Sequence, residues 1–156
     1  MKGDVSVLDI ESIFCNYRDD VYRLALSYTR STQEAEDICQ NVFVKLMEQI
    51  SIQPGKEKAW LMQVTANQCR NLLRSSWWKT TTELDESIVF ESPRQSELFQ
   101  AVMGLKPKYR VVVYLRYYEE YTTQEIAEIL KVSRSVVTTR LSRARQMLKK
   151  ELEVSV

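Results

Sequence analysis

The 156-residue chain has no histidine, only three glycines and three prolines, and three cysteines without a Cys-x-x-Cys pair. Each shortage excludes something. Without an imidazole there is no ready general base near neutral pH, and no nucleophile–base–orienter set can be assembled, so this chain is not expected to be an enzyme. Cys15, Cys39 and Cys69 are widely spaced inside apolar patterns, which reads as three small core residues rather than metal ligands. No metal and no cofactor are expected. There is no Gly-rich phosphate loop, internal repeat or low-complexity segment. The longest apolar run covers only residues 111–115, far short of a membrane span, and the N-terminus lacks a signal-peptide pattern. A soluble, cytoplasmic protein without membrane insertion is expected. Few glycines and prolines beside a 44% hydrophobic content favour helices with few tight turns.

The net charge of +1 conceals an uneven distribution. Residues 1–78 carry 9 basic and 10 acidic side chains, 79–93 carry one and four, and 94–156 carry twelve and seven. The basic surplus therefore lies in the C-terminal part, where a nucleic-acid partner would require it. Residues 131–150 hold seven basic side chains and no acid. Within them Val137, Leu141, Ala144 and Leu148 fall at i, i+4, i+7 and i+11, one stripe of a helix, so the arginines project elsewhere. Upstream, Thr122-Thr-Gln-Glu125 is a capping box opening a short helix with Ile126, Ala127, Ile129 and Leu130. Ser133 is a good N-cap for the basic helix. A short helix, a turn at Lys131-Val132 and a basic second helix describe a helix-turn-helix, whose second helix enters the major groove. A solvated C-terminal helix with charges suited to the macrodipole is the bland alternative. An acid-free run behind a capped helix exceeds what solvation requires.

In chain order, the first helix spans residues 8–30, with Ile10, Ile13, Phe14, Tyr17, Val21, Leu24, Ala25 and Tyr28 as its buried stripe. Ser31-Thr-Gln-Glu34 is a second capping box. The helix after it buries Ala35, Ile38, Cys39, Val42 and Leu46, broadened by Phe43, Met47 and Ile50. Glu34, Glu36, Asp37, Gln40 and Asn41 lie outside, where acids near a helix N-terminus are favourable without any function. Pro54-Gly55 is strong turn punctuation. A third helix over 57–75 has Trp60, Leu61, Val64, Leu72 and Leu73 as apolar positions. Its polar face of Gln63, Asn67, Gln68, Arg70, Asn71 and Arg74 can contact bases and phosphates. Trp77 and Trp78 either stack on an unpaired base or cover a seam between helices. Residues 79–92 read as an extended, acidic, flexible linker. Ser92-Pro93 restarts a helix marked by Leu98, Ala101, Val102 and Leu105. Pro107 opens another, running to 119, with Val112, Val113, Leu115 and Tyr118 available to the core. The expected fold is all-α: two small helical bundles, 1–78 and 93–156, joined by the linker, the second containing the helix-turn-helix.

Three stretches resemble the extracytoplasmic-function group of bacterial RNA polymerase sigma factors. Val21-Tyr-Arg-Leu-Ala-Leu-Ser-Tyr28 with Ala35-Glu-Asp-Ile-Cys-Gln-Asn-Val-Phe43 is similar to the family's polymerase-binding core. Ala59-Trp-Leu-Met-Gln-Val-Thr-Ala-Asn67, ending in Leu72-Leu-Arg74, resembles its promoter-opening helix. Thr123-Gln-Glu-Ile-Ala-Glu-Ile-Leu130, Val132-Ser-Arg-Ser-Val-Val and Arg140-Leu-Ser-Arg-Ala-Arg145 resemble its upstream-element reader. The resemblance implies a sigma-2-like and a sigma-4-like domain that bind core RNA polymerase and promoter DNA, both duplex and melted strand, under control by an anti-sigma factor. It implies that Glu36, Asp37, Gln40, Asn41 and Phe43 meet the polymerase. It also implies that the turn at 51–56, with Trp60, Asn67, Arg70, Asn71, Arg74, Trp77 and Trp78, holds the minus-ten strand, where flipping a base costs a few kcal/mol, offset by stacking. Ser133, Arg134, Ser135, Thr138 and Thr139 would read the minus-thirty-five element, with Arg140, Arg143 and Arg145 on its backbone.

This chain departs from the family pattern in three places. Lys131 stands where the family usually has Gly in a positive-φ turn, at about 1 kcal/mol of strain. Asn41 replaces a usual acid. Ser75-Ser-Trp-Trp-Lys79 replaces a run of arginines, which predicts a shallower salt dependence and more reliance on the tryptophans. A stand-alone helix-turn-helix regulator is the alternative function.

Overall fold

The computed structural model describes residues 9–49, 52–74 and 93–154. The chain divides into two compact units, Met1–Thr82 and Glu83–Val156, and the described elements are helical throughout, as the all-α reading requires. Ile50, Ser51, Trp77, Trp78, the acidic segment 79–92 and its Ser92 cap lie outside the described residues.

In the first unit, α1 (Ile10–Thr29), α2 (Thr32–Met47) and α3 (Glu57–Leu73) pack pairwise against one another. Asp9 caps α1 by accepting from the Ser12 N–H at 3.1 Å. The helix ends at Arg30, left-handed with φ 61°. The predicted second capping box is only half formed. Ser31 Oγ accepts from the Glu34 N–H, but the Ser31 N–H donates to Thr29 Oγ1 at 3.3 Å, so the last residue of α1 takes the place expected of Glu34. The core is built from Val21, Leu24, Ala25, Val42, Leu46, Leu61, Met62 and Ala66. The turn before α3 places Gly55 at φ 82° and buries Ile52 beneath it.

The buried stripe of α3 differs from the expected one. It is Leu61, Met62, Thr65, Ala66 and Cys69, whereas Trp60, Val64, Leu72 and Leu73 are only half-buried. Thr65 can turn inward because its hydroxyl donates to the Leu61 carbonyl at 2.6 Å, which satisfies that hydroxyl inside the core. Cys39 and Cys69 are core residues and Cys15 is exposed, which corrects the reading of Cys15. Burial pushes both the Cys39 and Cys69 thiols up, so neither is a ready nucleophile.

The second unit contains α4 (Pro93–Met103), α5 (Pro107–Val113), α6 (Thr123–Leu130) and α7 (Arg134–Val154). Val102, Leu105, Tyr109, Val113 and Ala144 form its central cluster, with Leu148 against it. Two features were not expected. Arg110 is only 3% exposed; its Nη1 donates to the carbonyls of Met103 and Leu105 at 3.2 and 2.8 Å, satisfying backbone acceptors where α4 ends. And α5 does not continue as a regular helix to 119. A π turn, Tyr114–Tyr118, follows it directly, closed by donation from the Glu119 N–H to the Tyr114 carbonyl. The extra residue in that turn carries Tyr118, expected in the core, out to the surface beside Tyr117.

Candidate nucleic-acid and polymerase interfaces

The helix-turn-helix is assembled from caps. Thr122 Oγ1 accepts from the Glu125 N–H at 3.1 Å, and Glu125 Oε1 accepts from the Thr122 N–H at 2.9 Å. Lys131 ends α6 in the left-handed region, φ 57° and ψ 46°, and Val132 returns its N–H to the Ala127 carbonyl. Ser133 Oγ then accepts from the Val136 N–H at 3.3 Å and opens α7. Ile126, Ala127, Ile129 and Leu130 of α6 are buried, as are Val137, Leu141 and Ala144 of α7. With that stripe inward, Ser133, Arg134, Ser135, Thr138 and Thr139 are all exposed around the first turns of α7. Their hydroxyls are locally ordered: Ser133 and Ser135 Oγ lie 3.1 Å apart, and Thr138 Oγ1 donates to the Arg134 carbonyl. A helix presenting hydroxyls and one guanidinium at its N-terminus suits base-edge and phosphate contacts in a groove.

The other arginines of α7 are placed differently. Arg140 is half-buried and Arg143 and Arg145 are exposed. Arg143 hydrogen-bonds the Tyr109 hydroxyl and holds it below its ordinary pKa, with the Lys108 charge adding to the effect. Arg145 Nη1 donates to the Tyr117 hydroxyl at 2.7 Å.

The strained turn makes a direct prediction. Lys131→Gly is expected to stabilise the second unit by about 0.5–1 kcal/mol, because relief of left-handed strain exceeds the extra flexibility that glycine gives the unfolded chain. A rise of roughly 2–8 °C in its thermal midpoint, followed by circular dichroism, would register this gain.

On the first unit, Glu36, Asp37, Gln40 and Asn41 are exposed on one side of α2. Neither carboxylate has an ion-pair partner among the described residues. Phe43 does not share that surface. It is 5% exposed, with its ring edge-on to Phe14 at 4.8 Å between centroids. The accessible aromatic here is Phe14, 39% exposed, with the Arg18 guanidinium 5.8 Å from its ring centroid. Val44 and Met47 continue the exposed line from Gln40 down α2. Met47, expected to broaden the core, is 60% exposed, because Leu46 already fills the inward position at that level.

On α3, positions 60, 67, 71 and 74 follow one stripe of the helix. Asn67, Asn71 and Arg74 are exposed and Trp60 is half-buried. Arg74 Nη1 donates to Asn71 Oδ1 at 3.1 Å, and Arg70 lies half-buried to one side. The stripe thus sets an indole at one end and an amide–guanidinium pair at the other, about 21 Å apart at 1.5 Å per residue. No group of His, Cys, Asp and Glu able to hold a metal occurs among the described residues.

Comparison with known proteins follows the same division. The family description "Sigma-70 region 2" matches residues 13–79, and "Sigma-70, region 4" matches residues 95–148. The ECF RNA polymerase sigma factor SigM of Bacillus subtilis (strain 168) is 31% identical over 153 residues, covering 91% of this chain and 94% of that protein. RNA polymerase sigma factor SigV of the same organism is 29% identical over 145 residues, 88% of this chain and 87% of its own. Among solved structures, the sigma factor RpoE in complex with the anti-sigma factor NepR from Bartonella quintana has a TM-score of 0.78. It is 21% identical, over 95% of this chain and 99% of that one. CnrH in complex with the cytosolic domain of CnrY has a TM-score of 0.70 at 18% identity, over 94% and 89%. At these identities the solved structures are similar in fold.

Proposed function

The chain belongs to the extracytoplasmic-function group of the sigma-70 family of RNA polymerase sigma factors, and on that premise we propose how its two units divide promoter recognition. The first unit binds core RNA polymerase and holds the melted minus-ten strand; the second reads the minus-thirty-five element as duplex. The chain catalyses nothing itself and works in the cytoplasm with the polymerase. The observation that carries this reading is the order of two family regions over 13–79 and 95–148, with an exposed polar helix N-terminus in the second.

Each unit supplies a surface of matching chemistry. Exposed Glu36 and Asp37, with Gln40 and Asn41, form the polymerase-facing side of α2; Phe43 contributes from beneath, by seating Phe14. Trp60, Asn67, Arg70, Asn71 and Arg74 of α3 serve the melted strand, and the sequence pattern assigns Trp77 and Trp78, outside the described residues, to the same task. Ser133, Arg134, Ser135, Thr138 and Thr139 meet bases and adjacent phosphates, while Arg140, Arg143 and Arg145 serve the backbone. Control by an anti-sigma factor fits the same reading, since the similarly folded RpoE was crystallised with one.

The test is reconstitution with purified core polymerase, start-site mapping and run-off transcription. Specific initiation is expected; tight binding to a palindromic duplex with indifference to polymerase would instead make the chain a free-standing regulator. Within the holoenzyme, Trp77→Ala with Trp78→Ala is expected to reduce open complexes about tenfold, because aromatic stacking contributes about 1–3 kcal/mol per base. Unchanged permanganate reactivity of the melted strand would remove both tryptophans from this role.

A further inference from the structure

The π turn after α5 presents a side chain that neither the core nor the base-reading end of α7 uses. Tyr117 is 51% exposed, yet two arginines converge on it. Its hydroxyl accepts from Arg145 Nη1 at 2.7 Å, a contact between residues 28 apart in sequence. The Arg116 guanidinium carbon lies 5.9 Å from the ring centroid, and Arg116 Nη1 also donates to the Tyr121 carbonyl at 3.5 Å. Neither arginine has a carboxylate partner among the described residues. Two like charges on one phenol repel each other, and an anion entering between them reverses the sign of that interaction. A tyrosine hydroxyl that accepts from an arginine still has its own proton to donate.

We propose that Tyr117 is a positioning residue that holds Arg145, with Arg116 beside it, as a clamp for one DNA backbone phosphate on the flank of the recognition helix. The proposal rests on the promoter-binding reading of α7. Arg145 lies eleven residues beyond Arg134, about 16 Å along the axis at 1.5 Å per residue, past the first turns that reach base edges. What remains within its reach is the sugar–phosphate wall. Guanidinium groups match phosphate oxygens two at a time, and a guanidinium already ordered loses less freedom on binding. The π turn is part of the device, because one residue more or less in that turn swings Tyr117 by about 100° around the helix and away from Arg145.

The experiment uses holoenzyme reconstituted with core polymerase and a promoter fragment from the mapped start sites, with affinity measured across a potassium chloride series. Tyr117→Phe keeps the ring and removes only the hydroxyl. It is expected to weaken binding three- to tenfold near 0.1 M salt, and to make log affinity against log salt shallower by up to about 0.9, the value of one phosphate contact. Arg145→Ala should match or exceed it, and the double variant should be no weaker than Arg145→Ala alone. A lower melting temperature with an unchanged salt slope would reduce Tyr117 to a structural tie and overturn the clamp. Additive losses in the double variant would overturn it as well. Wild-type holoenzyme that binds no mapped promoter would overturn the promoter reading first, and the clamp with it.

Discussion

Replacing Arg110 by methionine is expected to destabilise the second unit by about 2–4 kcal/mol, among the largest stability effects available to one polar substitution here. Methionine matches the length and apolar stem of arginine but leaves the carbonyls of Met103 and Leu105 without the Nη1 donor that now serves both. Arg110 is buried, and each unmet buried acceptor costs about 1–3 kcal/mol. At roughly 4–8 °C per kcal/mol for a unit this small, the midpoint should fall by about 10–30 °C. Calorimetry on the whole chain reads this directly, because the first unit is compact by itself and supplies an internal reference. A change below about 2 °C would mean that the two carbonyls find other donors.

The second large effect concerns polymerase binding. Glu36→Lys combined with Asp37→Lys is expected to weaken binding to core polymerase about 100-fold at 0.1–0.15 M salt, since placing like charges across an interface costs several kcal/mol. The fold should be nearly indifferent, because both side chains are exposed and without an ion-pair partner among the described residues, and surface substitutions of this kind stay within about 0.5 kcal/mol. Competition against the wild-type chain for core enzyme measures the loss; full retention of affinity would place the contact elsewhere. Val44 and Met47 would then be the next positions to alter, because both are exposed about two and three turns further along α2.

What could be read from the chain alone, and what could not, separates along a physical line. Caps and short stripes were legible because their causes are local. The box at Thr122 and Glu125 closes over four residues, and Val137, Leu141, Ala144 and Leu148 share a face by helical spacing alone. Lys131 could be placed in the left-handed turn through the family resemblance, which sets a glycine at that position, and it is left-handed in the structure. The order of the three motif stretches likewise needs no coordinates.

Tertiary packing decided the rest, because it decides which of several eligible side chains finds a partner. Phe14 and Phe43 are equally suited to a core, but only Phe43 goes in, with Phe14 set against its edge at the surface. At Ser31 the expected partner Glu34 was displaced by Thr29, whose position depends on where α1 stops. No local pattern singles out Arg110, and only the meeting of α4 and α5 shows that it caps a helix from inside. Sequence determined the helices, their caps and the basic face; three-dimensional competition for burial and for backbone hydrogen bonds chose Phe43, Arg110 and the π turn that brings Tyr117 to Arg145.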